Sequence, residues 1–199
     1  MSRAATIVGP QDHGRRMTLE EFDTAEVREG YLYELGRGVI IVRDVPGTKH
    51  LAQVNALRRL LTVYDLANPG RIHTIAGGAE CKILVPPLDS ERHPDVAVYC
   101  TEPPEGPDLW KSWIPYVVIE VVSTGSEKRD YEEKPPEYLD FGVQEYWIFD
   151  AKKFQVLVKR RSGARWADRV LVPADTIKTH VLPGFELIIG AVFDAARKA

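Results

Sequence analysis

The chain has 199 residues, of which 44% are hydrophobic and 28% charged, and its formal net charge is −3. These values are ordinary for a globular domain that buries its own core, and they exclude a protein whose whole surface is basic enough to grip nucleic acid. No apolar run approaches the roughly 20 residues of a membrane span, and the first seventeen residues lack the apolar stretch of a signal peptide. We therefore expect a cytoplasmic protein in which Cys81 and Cys100 are reduced core thiols.

The start of the chain is predicted to hold a tail followed by one domain. Residues 1–16 are expected to be disordered or loosely ordered, and residues 17–199 contain no linker that would separate two cores. Thr18 and Glu21 have the spacing of a capping box, which predicts a short helix that extends to about Arg28.

A hairpin and a long helix are predicted next. The segment GYLYELGRGVIIV, residues 30–42, is typical of two strands joined by a turn at Gly36-Arg37-Gly38. Apolar residues recur every three or four positions over residues 49–66, which predicts a helix with one apolar face that includes Leu51. A polar loop is expected at 87–94, and further strands are predicted at 79–86, 95–99, 116–122, 145–149, 154–160, 165–172 and 185–189.

A charged, helix-compatible segment covers residues 126–141 and is followed by Gly142, a residue typical of the position after a helix. Pro135 and Pro136 lie within this segment, so we expect the helix to break or restart near them. Helices and strands follow one another without an internal repeat. This order predicts a single α/β domain with a mixed β-sheet flanked by helices.

An acidic residue interrupts the most apolar of the predicted strands. Glu120 lies within YVVIEVV, residues 116–122, and shares one strand face with Val122. A buried carboxylate is costly unless it is paired or bound to a cation, and Asp95 begins another strand directly after Pro94. Two rigid carboxylates on neighbouring strands are a typical site for a hard divalent cation such as Mg²⁺, which can activate water and stabilise a phosphodiester under attack.

Several segments of the sequence resemble the Uma2 family, also called DUF820. They are MTLEEFDTAEVREGYLYELGRGVIIV from Met17, RHPDVAVY, YVVIEVVSTGSEKRDYEEKPPEYLDFGVQEYWIFD and LPGFEL, and the most specific part is the run GVQEYW at residues 142–147. Members of this family are assigned to the PD-(D/E)xK nuclease superfamily. The resemblance therefore implies a restriction-endonuclease-like fold and a Mg²⁺- or Mn²⁺-dependent endonuclease that hydrolyses DNA, with a homodimer as a common assembly.

The resemblance also implies catalytic residues. Asp95 and Glu120 fall on the two acidic positions of the motif, which makes both of them expected metal ligands and catalytic groups. The lysine position of the motif falls on Val122, and the resemblance implies that Lys134, four residues before Tyr138, replaces it. Its expected role is to orient or deprotonate the attacking water and to offset charge on the phosphate.

Two further residues and one hairpin extend this expected site. The resemblance implies Glu34 as another metal ligand and His50, near the start of the long helix, as an accessory residue. Independently of the resemblance, the hairpin predicted over 154–172 is basic. Its candidates for contact with DNA phosphates are Arg160, Arg161 and Arg165.

Each acidic candidate also has a structural alternative: a buried ion pair for Glu120, a turn after proline for Asp95, and a cross-strand pair with Arg37 or Arg43 for Glu34. For Lys134 and His50, the alternative is a solvent-exposed side chain that takes no part in the site. The valine in the motif and the two prolines favour a second function, a catalytically degenerate nuclease fold that acts as a binding or assembly module. A glycosidase-like pair of carboxylates is a third interpretation, which the scattered tryptophans do not support.

Overall fold

Strands and helices alternate along the chain in the structure, a computed structural model that describes residues 6–107 and 109–199. The strands in chain order are β1 (Ile7–Val8), β2 (Glu26–Val27), β3 (Tyr31–Gly36), β4 (Val39–Asp44), β5 (Thr74–Ala76), β6 (Ile83–Val85), β7 (Ser90–Arg92), β8 (Val96–Tyr99), β9 (Val117–Val121), β10 (Glu145–Asp150), β11 (Gln155–Ser162), β12 (Arg165–Leu171), β13 (Thr176–Lys178) and β14 (Glu186–Ile188). The helices are α1 (Leu19–Asp23), α2 (Thr48–Ala67), α3 (Leu109–Ser112), α4 (Lys134–Phe141) and α5 (Ile189–Arg197), and a π-helical turn (Arg129–Glu133) leads into α4.

The central sheet has six strands in the order β12-β11-β10-β9-β8-β5. Strands β9 and β10 pair in parallel, and the other neighbours pair antiparallel. Strand β9 is interior to the sheet, and all five of its residues are buried. This arrangement confirms the predicted α/β fold with a mixed sheet.

The two faces of the central sheet are covered by different elements. On one face, Ile119 of β9 packs in an apolar cluster with Leu57 of α2 and with residues of α5. On the other face, Val118 packs in a cluster with Tyr138 of α4. Because side chains alternate along a strand, Glu120 shares the α4 face with Val118.

Helix α2 confirms the long helix expected from the apolar spacing, with one difference. Leu57 and Leu61 are fully buried, but Leu51, which the pattern assigned to the apolar face, is 54% exposed. Leu51 in the first turn of α2 therefore lies outside the apolar core that buries the middle of the helix. None of the helices in the described residues combines the length and the apolar character needed to cross a membrane.

A second sheet, in the order β4-β3-β7-β6, packs through Ile83 and Val85 into the cluster on the α4 face. The prediction of a polar loop at 87–94 is wrong for the three residues of β7, which are all buried. Burial is tolerated because Arg92 of β7 forms an ion pair with Glu137 of α4, with Nε 2.7 Å from Oε2. This pair joins the second sheet to the helix that faces Glu120.

The described part of the segment before α1, from residue 6 onward, contacts the second sheet, and the predicted loose tail over residues 1–16 stays a prediction. Strand β1 pairs in parallel with β2, and Val8 is fully buried. The N–H of Ile40 in β4 donates to the carbonyl of Arg15 at 2.9 Å. Apolar burial and backbone hydrogen bonds together hold this segment against the second sheet. Residues 1–5 lie outside the described residues.

Helix α1 begins as predicted and ends early. Thr18 Oγ1 accepts a hydrogen bond from the Glu21 N–H at 3.2 Å, and Glu21 Oε2 accepts one from the Thr18 N–H at 3.0 Å. These two bonds form the predicted capping box. The helix stops at Asp23 and not near Arg28, because the chain extends at Glu26 to pair as β2.

The helix after β9 changes its hydrogen-bond pattern where the break was expected. The N–H of Lys134 donates to the carbonyl of Arg129, five residues earlier, and α4 begins at Lys134. Pro135 and Pro136 have no N–H to offer to the preceding turn, which explains the interruption of the α-helical pattern. Gly142 ends α4 with a φ of 110°, in agreement with its predicted position after the helix.

Candidate active site

Asp95 and Glu120 converge because of the register between β8 and β9. Val96 lies opposite Ile119 in this antiparallel pair, and the same register places Asp95 opposite Glu120. Directly opposed residues of antiparallel strands point to the same face of the sheet. The N–H of Val121 donates to Asp95 Oδ2 at 2.8 Å, which anchors this side chain beside β9. The structure thus brings together the two acids that the sequence indicated.

Glu120 is almost fully buried and contacts two residues of α4. Its Oε1 accepts a hydrogen bond from the Tyr138 hydroxyl at 2.8 Å and lies 2.9 Å from Nζ of Lys134. Lys134 and Tyr138 are four residues apart and therefore lie on one side of the helix. The lysine that the resemblance implied is in contact with the acid of the central strand.

Lys134 is shared among three carboxylates. Besides its contact with Glu120, its Nζ lies 3.1 Å from Asp130 Oδ1 and 3.7 Å from Glu34 Oε1, and its side chain is fully buried. Burial alone would lower the pKa of Lys134, but the surrounding carboxylates outweigh burial and raise the pKa above its ordinary value. The surrounding carboxylates therefore favour the charged ammonium form of Lys134, and its role towards the attacking water stays a prediction.

The two buried glutamates of this cluster differ in the cations that they face. Burial raises the pKa of Glu120 to about 8, an effect that Lys134 opposes and the neighbouring carboxylates reinforce. Burial acts on Glu34 in the same direction, but three cations, with Lys134 first, outweigh it and hold its pKa below the usual range. The other two are Arg43, 2.9 Å from Glu34 Oε1, and Arg92, 3.3 Å from Glu34 Oε2. The cross-strand pair considered for Glu34 is therefore present.

His50 connects Asp95 to the first turn of α2. Nε2 of His50 lies 3.1 Å from Asp95 Oδ2, and both side chains are largely but not fully buried. Burial opposes the charged form of each group, but their mutual contact outweighs it, so the pKa of His50 is raised and the pKa of Asp95 is lowered. The two residues stabilise each other's charge, and His50 positions the carboxylate.

The chemistry of the donors at Asp95 and Glu120 fits a hard divalent cation. In the described part of the chain, hydrogen bonds reach Asp95 Oδ2 and Glu120 Oε1 and leave the second oxygen of each carboxylate free. Burial, reinforced by the neighbouring carboxylates, raises the pKa of Glu120 and so disfavours its ionised form, which a bound cation would favour. Both oxygens of Glu34 already contact arginines, so Glu34 has no free oxygen to offer.

No group of three or more His, Cys, Asp or Glu side chains within residues 6–107 and 109–199 is arranged to hold a metal ion by itself. Two carboxylates are still a sufficient protein contribution for Mg²⁺, which keeps several waters and completes its shell with phosphate oxygens. The residues that would hold the ion are therefore Asp95 and Glu120, with the rest of the shell supplied by water and substrate.

A basic cleft of about 870 Å³ opens beside His50. Its charged wall residues are the cations Arg43, Lys49, Arg129 and Lys152 and the carboxylate Asp44. An excess of positive charge along a cleft attracts polyanions such as nucleic acid. This charge lies next to the acidic pair, and three of its cations, Lys49, Arg129 and Lys152, were not singled out by the sequence pattern.

The predicted basic hairpin of β11 and β12 lies away from the acidic pair. Arg160 is opposite Glu145 in the sheet, at the end remote from Glu120, and its Nε is 3.2 Å from Glu145 Oε1. Arg161 donates to backbone carbonyls at and just after the end of α4, and Arg165 is exposed at the start of β12. These arginines do not belong to the acidic site, and their contact with DNA stays a prediction.

Two charged residues that contact Lys134 or Glu34 were not predicted from the sequence. Asp130 is four residues before Lys134, a spacing typical of ion pairs on a helix, and this signal was sufficient to find it. Arg92 gave no comparable signal, because its pairing with Glu137 joins β7 to α4 across 45 residues of sequence. Such a contact depends on how the second sheet packs and not on a local pattern.

Comparison with known proteins identifies the family. The model of the Uma2 family, described as a putative restriction endonuclease, matches residues 19–190. The crystal structure of a putative nuclease belonging to DUF820 from Anabaena variabilis is similar to this chain, with a TM-score of 0.69 and 20% sequence identity over 90% of this chain and 99% of that one. No match is found among curated proteins. The resemblance seen in the sequence is confirmed, and the chain belongs to the Uma2 family.

Proposed function

We propose that this chain is a metal-dependent endonuclease that hydrolyses phosphodiester bonds of DNA. The observation that carries the proposal is the opposed pair of Asp95 and Glu120, with Nζ of Lys134 2.9 Å from Glu120 Oε1. Membership of the Uma2 family supports a nuclease of the restriction-endonuclease-like kind. The basic cleft beside His50 supports a polyanionic substrate.

Hydrolysis bonds the oxygen of a water molecule to phosphorus and breaks one bridging P–O bond, whose oxygen leaves with a proton. A Mg²⁺ or Mn²⁺ ion held by Asp95 and Glu120 would supply a more acidic water and stabilise charge on the phosphate. Lys134 contributes a permanent positive charge beside Glu120, which offsets negative charge that grows on the phosphate oxygens. His50 restricts the rotation of the Asp95 carboxylate through its contact with Oδ2.

Nicking of supercoiled plasmid DNA tests this proposal. Wild type, Asp95→Asn and Glu120→Gln are compared in Mg²⁺, in Mn²⁺ and in EDTA, and folding is checked by circular dichroism. The matched control is Glu145→Gln, because Glu145 is also a fully buried glutamate of the central sheet but lies at its other end. We expect the wild type and the control to nick DNA only with metal, and the two site variants to be at least about 100-fold slower. Equal rates for wild type and Glu120→Gln, or cleavage of neither plasmid nor single-stranded DNA by the folded wild type, would overturn the proposal.

A binding or assembly module without catalysis is the second candidate, and the burial of the site favours it. The side chains of Glu120 and Lys134 are only 2% and 0% exposed, and valine stands at position 122 where the superfamily motif has lysine. Titration calorimetry with Mn²⁺ separates the two candidates. A one-site isotherm that disappears in Asp95→Asn counts against the module, whereas a folded protein that neither binds Mn²⁺ nor nicks DNA supports it.

A further inference from the structure

A second cleft, of about 310 Å³, also borders the acidic site. Asp95 is part of its wall, and Arg43 lines both this cleft and the basic cleft, so the two clefts meet beside the acidic pair. We call it the aromatic cleft because of its aromatic wall residues Phe22, Tyr31 and Tyr33. Its other apolar wall residues are Ala25, Val27, Leu32 and Ala79.

The aromatic cleft keeps apolar side chains exposed next to polar groups. Val27, Tyr31 and Leu32 are 50%, 38% and 36% exposed. Its polar wall also includes Asp23 and the pair of Glu91 and His93, whose side chains lie 3.0 Å apart and share a hydrogen bond. A flat heterocycle such as a nucleobase suits this combination, because it stacks through its faces on aromatic rings and forms hydrogen bonds through its edges.

The basic cleft has the opposite character, and its charge is a local property. Four cations and one carboxylate line it, whereas a neighbouring cleft of about 700 Å³ that also includes Arg129 is balanced. The charged residues of that balanced cleft are Arg37, Arg92, Arg129, Glu132, Glu133 and Glu137. Positive charge is thus concentrated on one approach to the acidic pair, and apolar aromatic surface on the other.

The acidic pair is recessed below the surface. The side chain of Asp95 is 15% exposed and that of Glu120 is 2% exposed. The backbone of a paired duplex is held in a fixed helical path, so its phosphates reach a recessed pair less easily than those of a flexible strand do. A single strand can bend into such a recess, and proteins bind single strands by combining a cationic track for phosphates with aromatic platforms for bases.

We propose that the site takes a single nucleic-acid strand, with its phosphates along the basic cleft and one unpaired base in the aromatic cleft beside the scissile phosphate. This inference deepens the proposed nuclease function and rests on it for the cleavage step. Binding of the strand is a separate property, because the two clefts are made by side chains other than Glu120 and can be tested without metal.

Fluorescence anisotropy in EDTA tests strand binding. One probe is a labelled single strand of about 15 nucleotides, near the upper site size of single-strand binding modules. The other is a hairpin in which the same sequence is paired along its whole length with a complementary segment. We expect the wild type to bind the single strand at least about tenfold more tightly than the hairpin. Tyr31→Ala should weaken binding of the single strand about fivefold or more, and Tyr31→Phe should retain it, because the ring provides the stacking surface.

Two other variants test the inference even if the Tyr31→Ala variant does not fold. Val27→Glu places a negative charge at a half-exposed position of the aromatic cleft and should also weaken single-strand binding about fivefold or more. Lys49→Ala combined with Lys152→Ala should weaken binding and reduce its salt dependence by one to two phosphate contacts. The control is Leu66→Ala, which removes an exposed apolar side chain of α2 outside both clefts and should leave binding unchanged.

The outcomes separate this inference from the proposed function. Equal affinity for the two probes, no binding of either probe by folded wild type, or wild-type affinity in both Tyr31→Ala and Val27→Glu would overturn the inference. Plasmid nicking together with any of these results would leave the nuclease standing with a duplex substrate. Single-strand binding that depends on Tyr31 in a protein that cleaves neither plasmid nor single-stranded DNA would support the inference and reject the nuclease.

Discussion

Glu120 and Glu145 are buried glutamates on neighbouring strands of one sheet, yet their surroundings differ. Glu145 accepts hydrogen bonds from Trp147 Nε1 and Thr179 Oγ1, both at 2.8 Å, so neutral donors satisfy each of its oxygens. Glu120 has one cation, Lys134, which other carboxylates share. Burial of an acid is therefore a weak sign of function, whereas an acid that is buried among other acids is one whose ionised form the fold does not fully compensate.

Removal of the cation beside each glutamate is the strongest test of this difference. Lys134→Ala leaves buried carboxylates without their shared cation and should lower the free energy of unfolding by about 3–5 kcal/mol. Arg160 is 38% exposed beside Glu145, so solvent screens the pair and Arg160→Ala should cost at most about 1 kcal/mol. Urea unfolding at pH 7 in EDTA measures both values.

Added Mg²⁺ provides the control for this experiment. The Lys134→Ala variant should recover part of its lost stability in Mg²⁺, because a divalent cation can compensate the same carboxylates. Arg160→Ala should gain no more from Mg²⁺ than the wild type does. Similar losses in the two variants would mean that the two glutamates are compensated to the same degree, and the comparison would fail.

The pH dependence of stability sharpens the comparison next. The pKa of Glu120 rises from 4.5 to about 8 in the folded protein, so the folded state retains a proton that the unfolded state loses in this window. Stability from this group is complete below pH 4.5 and is lost as pH rises through about 8. Relative to Glu120→Gln, the wild type in EDTA should therefore lose about 2–3 kcal/mol of unfolding free energy between pH 6 and pH 8.

Urea unfolding at the two pH values gives this difference. The Glu145→Gln variant is the matched control, because it replaces a buried glutamate at the other end of the sheet. A gap between wild type and Glu120→Gln that does not change with pH would show that Glu120 is ionised in the folded, metal-free protein. The fold itself would then compensate the ionised form of Glu120, and its contrast with Glu145 would disappear.

Local sequence patterns were sufficient for the central strands. Alternation of side chains in β9 assigns Glu120 to one face, whereas its link to Asp95 in the motif came from the resemblance to the Uma2 family. Glu145 is equally buried but was not singled out, because its partner Thr179 lies 34 residues away. The hydrogen bonds between the segment before Thr18 and β4 likewise join residues that are distant in sequence.

The smallest expected effect comes from removing one hydroxyl donor at each glutamate. Tyr138→Phe deletes the 2.8 Å hydrogen bond to Glu120, and Thr179→Val deletes the 2.8 Å hydrogen bond to Glu145. Each change should cost about 1–2 kcal/mol of stability, because a buried carboxylate loses one of its donors. Only Tyr138→Phe should also slow plasmid nicking, by a few-fold, since Tyr138 orients the carboxylate that would hold the metal. A nicking rate reduced equally in folded Thr179→Val would show that the two ends of the sheet are not functionally distinct.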